Sequence, residues 1–439
     1  MNARQSAFAC LANAPRRPAC VDDQRVNHGV FPGSVDWLHL LPIKSQSQIG
    51  SVMAGRRAAS RSPVVATTIR SRGAILDDQF RLCAAIQNNN VLKGGEMAAV
   101  LRALAGSGFL IASTILAQAA EPLHLRVADS FPKGHYLVKL VLEPWMEEVK
   151  KRTNNAVTFD HYPAQQLGKP ADMLKLTQTG VADIGYVAPG YTSDKMPVSE
   201  VAMLPGAFEH SCQGTLAYWK LARNGVIAQQ DYTPNNIRLL LAVSLPQYRI
   251  FTVKAPVKDV DDVTGLKLRS TGGAQDLTLR AIGSVPVRMA APDAYESLSR
   301  GTMDGLLFPL ESVVAYGADK LVKYSTDGLG FGSFIVSYSI SDNVWKKLSP
   351  EVQKAMIDVA EEMLPAVCQQ VQKADNETKK SLEAAGIRFE TLQPEVNRKF
   401  KDLMKGVAKA WSEGLDGRGK RGSDALKEFD AAVAAIPAQ

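Results

Sequence analysis

Cysteine is scarce in this chain. Cys10, Cys20 and Cys83 lie upstream of residue 97, which leaves Cys212 and Cys368 for everything that follows. That larger part can hold at most one intramolecular disulfide, so it is not a disulfide-framework domain, and whether the two cysteines pair is open. Histidine is as sparse. His124, His135, His161 and His210 are the only ones beyond residue 120, and none stands at metal-ligand spacing from another, so no metal site is expected. No G-x-S-x-G elbow and no Walker A loop occurs. Gly328-Leu329-Gly330-Phe331-Gly332 partly resembles a dinucleotide turn, but its spacing is wrong and a strand rather than a helix is expected to follow. Asp261-Asp262 precede the Gly265 turn and read as exposed loop carboxylates, and Cys212 beside His210 has no assignable catalytic geometry. These absences remove every specific reason to propose an enzyme, and no cofactor is expected.

One-sided charge is also missing where it would matter. The formal net charge is +7, but thirteen basic and only six acidic residues lie in 1–119, which leaves 38 of each sign in 120–439. The main body is formally neutral, and the basic balance is no argument for nucleic acid. Apolar runs long enough to span a bilayer are absent as well. Ala103–Leu116 is too short, and it sits between Arg102 and Ala117-Gln118-Ala119, an A-x-A cleavage pattern. The reading is a secretory signal peptide at 97–119, with a buried or amphipathic helix as its alternative. No cysteine follows the cleavage site to carry a lipid. Signal peptides begin chains, so Met97 is expected to be the true start and 1–96 a non-native upstream extension. Lys93-Gly94-Gly95-Glu96 is encodable by a purine-rich ribosome-binding site.

What is present from residue 123 onward is an alternation of strands and helices. Leu123, Leu125 and Val127 alternate with polar residues as in a strand, and Leu137, Leu140, Val141, Trp145 and Val149 follow helical spacing. Ala156–Tyr162 predicts a strand, Pro170–Thr179 a helix ended by Gly180, and Val181–Val187 another strand. This order predicts an α/β fold. Asn343–Ala385 predicts a long helix with a kink at Pro365, and 395–411 and 423–435 predict two more amphipathic helices. Arg418-Gly419-Lys420-Arg421 between them reads as a solvated loop.

One unit occurs twice. Met173–Thr179 leads into Gly180-Val181-Ala182-Asp183-Ile184, and Ala294–Arg300 leads into Gly301-Thr302-Met303-Asp304-Gly305, 121 residues later. Each is a helix, a glycine stop, a G-x-x-D turn and an apolar strand. Either two unrelated αβ junctions look alike, or the chain has two related α/β lobes with a cleft between them, where ligand sites are favoured.

Two arginines give that cleft a candidate chemistry. Arg269 ends the strand signal Gly265-Leu266-Lys267-Leu268-Arg269, and Arg249 precedes the strand Ile250–Val253. A guanidinium is permanently charged and presents a planar fork of donors that matches a carboxylate. The alternative is two ordinary surface arginines.

The body resembles the solute-binding proteins of TRAP transporters, the tripartite ATP-independent periplasmic systems for organic acids such as C4-dicarboxylates. The resemblance rests on an ordered set: Trp145–Val149 with Lys151–Asn154, Tyr162–Gly168, Gln178–Ile184, Leu204-Pro205, Gly265–Arg269 and Gly301–Gly305. It implies an α/β periplasmic binding protein fold: two lobes with a ligand cleft, hinge strands and a long C-terminal helix. Lobe 1 would comprise 120–246, completed by about 335–375. Lobe 2 would comprise 247–334, with the C-terminal helices 376–439 packing across both. By the same resemblance Arg269 is the carboxylate-clamping arginine and Arg249 a second arginine that often joins it. The partners implied are a small organic acid and the membrane subunits of a TRAP transporter, with no nucleic acid and no membrane insertion, in a periplasmic monomer. Many family members carry a polar residue shortly after the G-x-x-D-G segment, where this chain has Leu306, Leu307 and Phe308; the first lobe offers Tyr186 and Tyr191. The expected ligand is therefore a monocarboxylate with an apolar or aromatic body, stacked against Phe308 and a tyrosine. The alternative for Phe308 is a core residue facing away. An exported ligand-sensing subunit, or an α/β enzyme acting on an acid, are the competing functions.

Overall fold

The structure, a computed structural model, describes residues 121–437. The expected signal peptide at 97–119 and the extension at 1–96 lie outside the described residues. Eleven strands form two sheets among the described residues. The first contains β1 (Leu123–Ala128), β2 (Val157–Tyr162), β3 (Ile184–Tyr186), β4 (Ile237–Ser244) and β10 (Ile335–Ser341), in the order β2-β1-β3-β10-β4. The second contains β5 (Arg249–Thr252), β6 (Lys267–Ser270), β7 (Val285–Arg288), β8 (Gly305–Phe308), β9 (Tyr324–Asp327) and β11 (Arg388–Thr391), in the order β11-β9-β5-β8-β6-β7. In each sheet the strand of the duplicated unit runs parallel to a neighbour, β3 to β1 and β8 to β6.

The helices are α1 (Glu143–Arg152), α2 (Met173–Gln178), α3 (Ser211–Asn224), α4 (Gly273–Ala281), α5 (Ala294–Ser299), α6 (Leu310–Ala315), α7 (Asp342–Trp345), α8 (Pro350–Ala384), α9 (Pro394–Met404), α10 (Val407–Asp416) and α11 (Gly422–Ala434). Several expected bounds change, for local reasons. The helix expected from Leu137 begins with a π turn at Val138–Leu142, just before Pro144, which has no N–H to donate to the turn behind it. The helix expected over Asn343–Ala385 is two, because Ser349 caps a fresh start: its hydroxyl accepts from the Val352 amide, and Pro350 occupies the first turn. Pro365 lies within the single helix α8. The helix expected over 395–411 is also two, interrupted at Lys405–Gly406, where glycine is a poor helix former. The strand expected over Val181–Val187 shrinks to three residues, and Val181 is exposed.

The duplicated unit does the same structural work twice. Gly180 and Gly301 both adopt positive φ, 76° and 66°, which ends α2 and α5 and turns the chain toward the sheet. The aspartate that follows reaches the neighbouring parallel strand rather than its own turn. Asp183 accepts from the Arg126 amide at 2.8 Å, and Asp304 accepts from the Lys267 amide at 2.9 Å. Each aspartate thus fixes the start of the pairing between its own strand and β1 or β6. Asp183 also pairs with the Arg126 guanidinium at 3.0 Å.

Two short segments carry the chain between the sheets. Leu245–Tyr248 leads from β4 to β5, and Gly328–Phe334 leads from β9 back to β10. They bond to one another: the Leu245 amide to the Phe334 carbonyl at 2.9 Å, the Tyr248 amide to Gly332 at 2.8 Å, and the Phe331 amide to Tyr248 at 2.9 Å. The glycine-rich run that partly resembles a dinucleotide turn is this crossing. Helix α8 is the third connection. At one end Trp145 of α1 donates to the Met356 carbonyl at 3.0 Å; toward the other, Lys379 pairs with Asp327 of β9 at 2.6 Å. The larger core covers the first sheet, with Leu125, Val127, Trp145, Val149 and Ile184 buried, and continues onto the second through Ile250, Leu268 and Leu307. A second core, with Phe251, Leu298, Leu306, Phe308 and Leu382, lies against the second.

Cys212, in the first turn of α3, is bonded to Cys368 of α8, which answers the question that the sequence left open. The closed loop spans 156 residues, so in the chain-entropy view it removes much freedom from the unfolded state. Cys212→Ser, or a reductant, is expected to cost about 2–4 kcal/mol of stability. The check is denaturant unfolding of the oxidised, reduced and substituted proteins. Equal midpoints would show that the crosslink adds nothing.

Candidate functional site

The carboxyl ends of β1, β3, β6 and β8 are where parallel α/β sheets place ligands, and the candidate residues converge there. Arg269 is on β6, which is paired on both sides, with β7 and β8, so its side chain has no sheet edge to escape past. It is 1% exposed. Its Nε donates to the Met289 carbonyl at 3.1 Å, Nη1 to the Leu307 carbonyl at 3.4 Å, and Nη2 to the Tyr191 hydroxyl at 3.3 Å. All three acceptors are uncharged, and among the described residues no acidic side chain forms an ion pair with this guanidinium. Beneath it lies Phe308, whose ring centroid is 4.5 Å from Cζ. The pairing of Arg269 with Leu306 puts Phe308, two residues on, on the same face. A buried guanidinium over an aromatic face gains from the ring quadrupole, but not enough to replace its hydration.

Tyr191 reaches this arginine from the other sheet. It ends a 3-10 turn, Pro189–Tyr191, that follows β3, and its hydroxyl also accepts from the Ala291 amide at 3.2 Å. From there aromatic contacts run in a closed circuit. Tyr191 meets Tyr186 edge-on at 6.5 Å between centroids, and Tyr186 meets Phe131 at 4.6 Å. Phe131 stacks on His135 at 4.3 Å, His135 approaches Tyr316 at 5.7 Å, and Tyr316 approaches Phe308 at 6.2 Å. Phe131, His135, Tyr186 and Tyr191 belong with the first sheet; Arg269, Phe308 and Tyr316 belong with the second. An open groove of about 440 Å³, lined by Ser130, Pro132, Gln165, Pro292, Tyr295 and Tyr316, borders the circuit at Tyr316.

Two polar groups beside the first sheet stand out. Asp129 is fully buried at the end of β1, and its oxygens are committed: Oδ1 accepts from the Phe131 amide at 3.0 Å, and Oδ2 accepts from the Tyr338 hydroxyl at 2.8 Å and meets His161 Nε2 at 3.2 Å. His135 is different. Its Nδ1 accepts from the Leu137 amide at 3.3 Å, while Nε2 is buried with no hydrogen-bond partner. Burial lowers its pKa to about 3, so the ring is neutral at physiological pH.

The structure brings Arg269, Phe308, Tyr186 and Tyr191 together, and it gives Arg249 a different neighbourhood. Arg249 shares the sheet face with Phe308, its partner across β5 and β8, but its guanidinium pairs with Asp327 and lies 5.8 Å from the Phe389 ring centroid. Its charge is balanced there. Phe131, His135, Tyr316, Tyr338 and Asp129 were not picked out from the sequence as site residues. The signal that pointed to two of them was positional: Asp129 and Phe131 follow β1 directly, at the carboxyl end of a parallel strand. Nothing comparable marks Tyr316. Among the described residues no cluster of His, Cys, Asp and Glu is placed to hold a metal ion, and no helix is long and apolar enough to cross a membrane.

A model of the bacterial extracellular solute-binding proteins of family 7 matches residues 127–414. The chain belongs to this family. Among similar solved structures is a TRAP periplasmic solute-binding protein of Bordetella bronchiseptica with bound (R)- and (S)-mandelate, 26% identical, with a TM-score of 0.66, covering 72% of this chain and 100% of that one. A TRAP solute-binding protein from Rhodoferax ferrireducens, in complex with copurified benzoate, has the same TM-score of 0.66 at 22% identity, over 71% of this chain and 98% of that one, and shows the shared fold. Among curated relatives, the C4-dicarboxylate-binding periplasmic protein DctP of Rhodobacter capsulatus is 26% identical over 59% of this chain and 78% of its own length. The expected α/β fold with its two sheets is thereby borne out, as is the resemblance to TRAP solute-binding proteins. This family is one of substrate-binding receptors and is periplasmic.

In this solute-binding protein one buried carboxylate also joins the two sheets. Glu200, in the 3-10 segment Val198–Met203 beside the first sheet, accepts from the Ala274 amide in the first turn of α4 at 2.9 Å. Gly273 makes room for it, since a Cβ there would stand 1.9 Å from the carboxylate. Burial raises the Glu200 pKa from 4.5 to about 7; Asp231 adds to the rise, while Ser193, the Ala274 amide and Arg288 oppose it. A raised acid binds its proton in the folded state first, so the stabilisation is complete below pH 4.5 and is lost as pH rises through about 7. The swing is on the order of 3 kcal/mol. Glu200→Gln keeps an acceptor and removes the titration. The melting-temperature difference, variant minus wild type, is expected to be more positive at pH 8 than at pH 5. A difference independent of pH would refute the linkage.

Proposed function

We propose that this protein captures an aromatic monocarboxylate in the cleft between its two sheets, outside the cytoplasm, and delivers it to the membrane subunits of a TRAP transporter without chemical change. The observation that carries the reading is Arg269: a guanidinium 1% exposed whose bonds all go to uncharged oxygens. Desolvating such a cation costs several kcal/mol, and an anion is what offsets that cost. Each terminal nitrogen has a second N–H beyond the bonds described, so a carboxylate can be met by a planar pair of donors. Tyr248, whose hydroxyl also interacts with the guanidinium, has its pKa raised by burial, which keeps that hydroxyl neutral beside the bound anion.

The body of the ligand is argued from the aromatic circuit. Phe131, Tyr186, Tyr191, Phe308 and Tyr316 offer ring faces and edges, and Asp129, the nearby carboxylate, is already taken up by donors of the protein. A flat apolar body suits that lining better than a second carboxylate does. Mandelate in the Bordetella bronchiseptica relative is a ligand of that kind. Phe308 serves two ends in this reading, holding the guanidinium plane and forming one wall. Arg249 is assigned to the frame: with Asp327 and Lys379 it ties β5 and β9 to α8. Because Tyr191 and Arg269 come from different sheets, binding and closure are one event. Affinity is then shared between the ion pair and the fit of the closed cleft. The signal peptide at 97–119 would bring the protein to the periplasm.

Titration calorimetry with (R)-mandelate, benzoate and succinate tests this reading. Wild type is expected to bind the aromatic acids and to discriminate against succinate. Arg269→Ala should cost about 2–5 kcal/mol of binding with the fold intact, and Arg269→Lys should recover only part, because the fork is lost. Tight succinate binding with no aromatic response would refute the ligand class. Unchanged affinity in both variants would refute the clamp. Arg249→Gln is expected to lower the melting temperature while retaining aromatic binding; loss of binding as deep as in Arg269→Ala would make it a second clamp instead.

A further inference from the structure

Inside the aromatic circuit the protein leaves one hydrogen-bond donor unused. His135 Nδ1 accepts from the Leu137 amide, so in the neutral ring the proton must be on Nε2. That N–H is buried without a partner in a residue only 5% exposed. A buried donor left unpaired costs about 1–3 kcal/mol, a cost that proteins seldom carry without a reason. The imidazole is held on one side by Phe131 at 4.3 Å, and Tyr136 and Tyr316 stand at 4.8 and 5.7 Å. Nε2 is the ring nitrogen that the backbone does not engage.

Its place relative to Arg269 decides what it can recognise. Along one arc of the circuit Phe308 and Tyr316 separate the two residues; along the other, Tyr191, Tyr186 and Phe131 do. His135 therefore stands opposite the clamp in the circuit. An oxygen on the carbon next to the carboxylate would remain beside Arg269, whereas an oxygen on the far side of an aromatic ring would extend toward His135.

We propose that His135 is a specificity-determining residue whose Nε2–H donates to an oxygen at the end of the ligand remote from its carboxylate, so that the cleft prefers ring-hydroxylated aryl carboxylates to unsubstituted ones. This rests on the aromatic-carboxylate reading above. The phenolic oxygen accepts from Nε2 and the carboxylate meets Arg269. A bare aryl ring leaves the histidine donor unsatisfied on closure.

The experiment is a calorimetric panel on the folded mature protein with benzoate, 3-hydroxybenzoate, 4-hydroxybenzoate, phenylacetate and mandelate, repeated on His135→Phe. Wild type is expected to bind at least one hydroxybenzoate about fivefold to tenfold more tightly than benzoate, as one neutral hydrogen bond allows. In His135→Phe that ratio should fall to about one, while the ratio of mandelate to phenylacetate, which reports a hydroxyl beside the carboxylate, should not move. If wild type binds benzoate as well as both hydroxybenzoates, the role of His135 is overturned and the aromatic reading stands. A preference that persists in His135→Phe overturns it equally. Binding of none of the five acids overturns both. The wild-type panel alone decides the matter if His135→Phe does not fold.

Discussion

A cation buried without a counter-charge is the constraint on which the rest of this protein depends. Arg269 sits on a strand paired on both sides and is 1% exposed. Two backbone carbonyls, a tyrosine hydroxyl and the face of Phe308 partly compensate it. None of them carries negative charge, and each is presented by a different piece of the fold. Met289 follows β7, Leu307 and Phe308 are on β8, and Tyr191 comes from beyond β3 in the other sheet. The guanidinium is held rigid and electrostatically incomplete. That arrangement suits a receptor, whose ligand must complete the site and then leave it.

Two sheets can meet over such a group because the chain solves one local problem twice. In both sheets a glycine ends a short helix, and an aspartate five residues past the helix end accepts from an amide of the adjacent parallel strand. The amino ends of β3 and β8 are thereby tied to β1 and β6, and beyond the carboxyl end of β3 Tyr191 reaches Arg269 of the second sheet. Leu245–Tyr248 and Gly328–Phe334, bonded side by side, set the distance between the sheets, and α8 braces them from behind. Glu200 adds a polar contact across the same division, at the N-terminus of α4, where a helix favours negative charge.

Much of the frame was legible in the sequence because its signals are local. Alternation in Leu123–Val127 and the glycine stops at 180 and 301 depend on neighbours within a few residues. The departures are also local: Pro144 forces a π turn, and Gly406 breaks an amphipathic stretch in two. Strand β11 gave no signal, because four residues with exposed Arg388 become a strand only by pairing with β9. The family motifs pointed to Arg269. They did not distinguish it from Arg249, since two arginines near strand ends look alike until Asp327 is seen beside one of them.

The sequence by itself determined the α/β class, the repeated turn and the absence of motifs for familiar catalysis, and it offered two arginines as candidates for binding an acid. These follow from residue type and short-range spacing. Only the tertiary structure decided which charges are spent and which remain free. The aromatic circuit joins residues from 131 to 316 in sequence across two sheets, and the freedom of His135 Nε2 depends on where Leu137 turns its amide. Burial and counter-charge are properties of the assembled neighbourhood. No residue carries them in its own identity, so the chemistry of this cleft emerged only when distant strand ends were brought to one place.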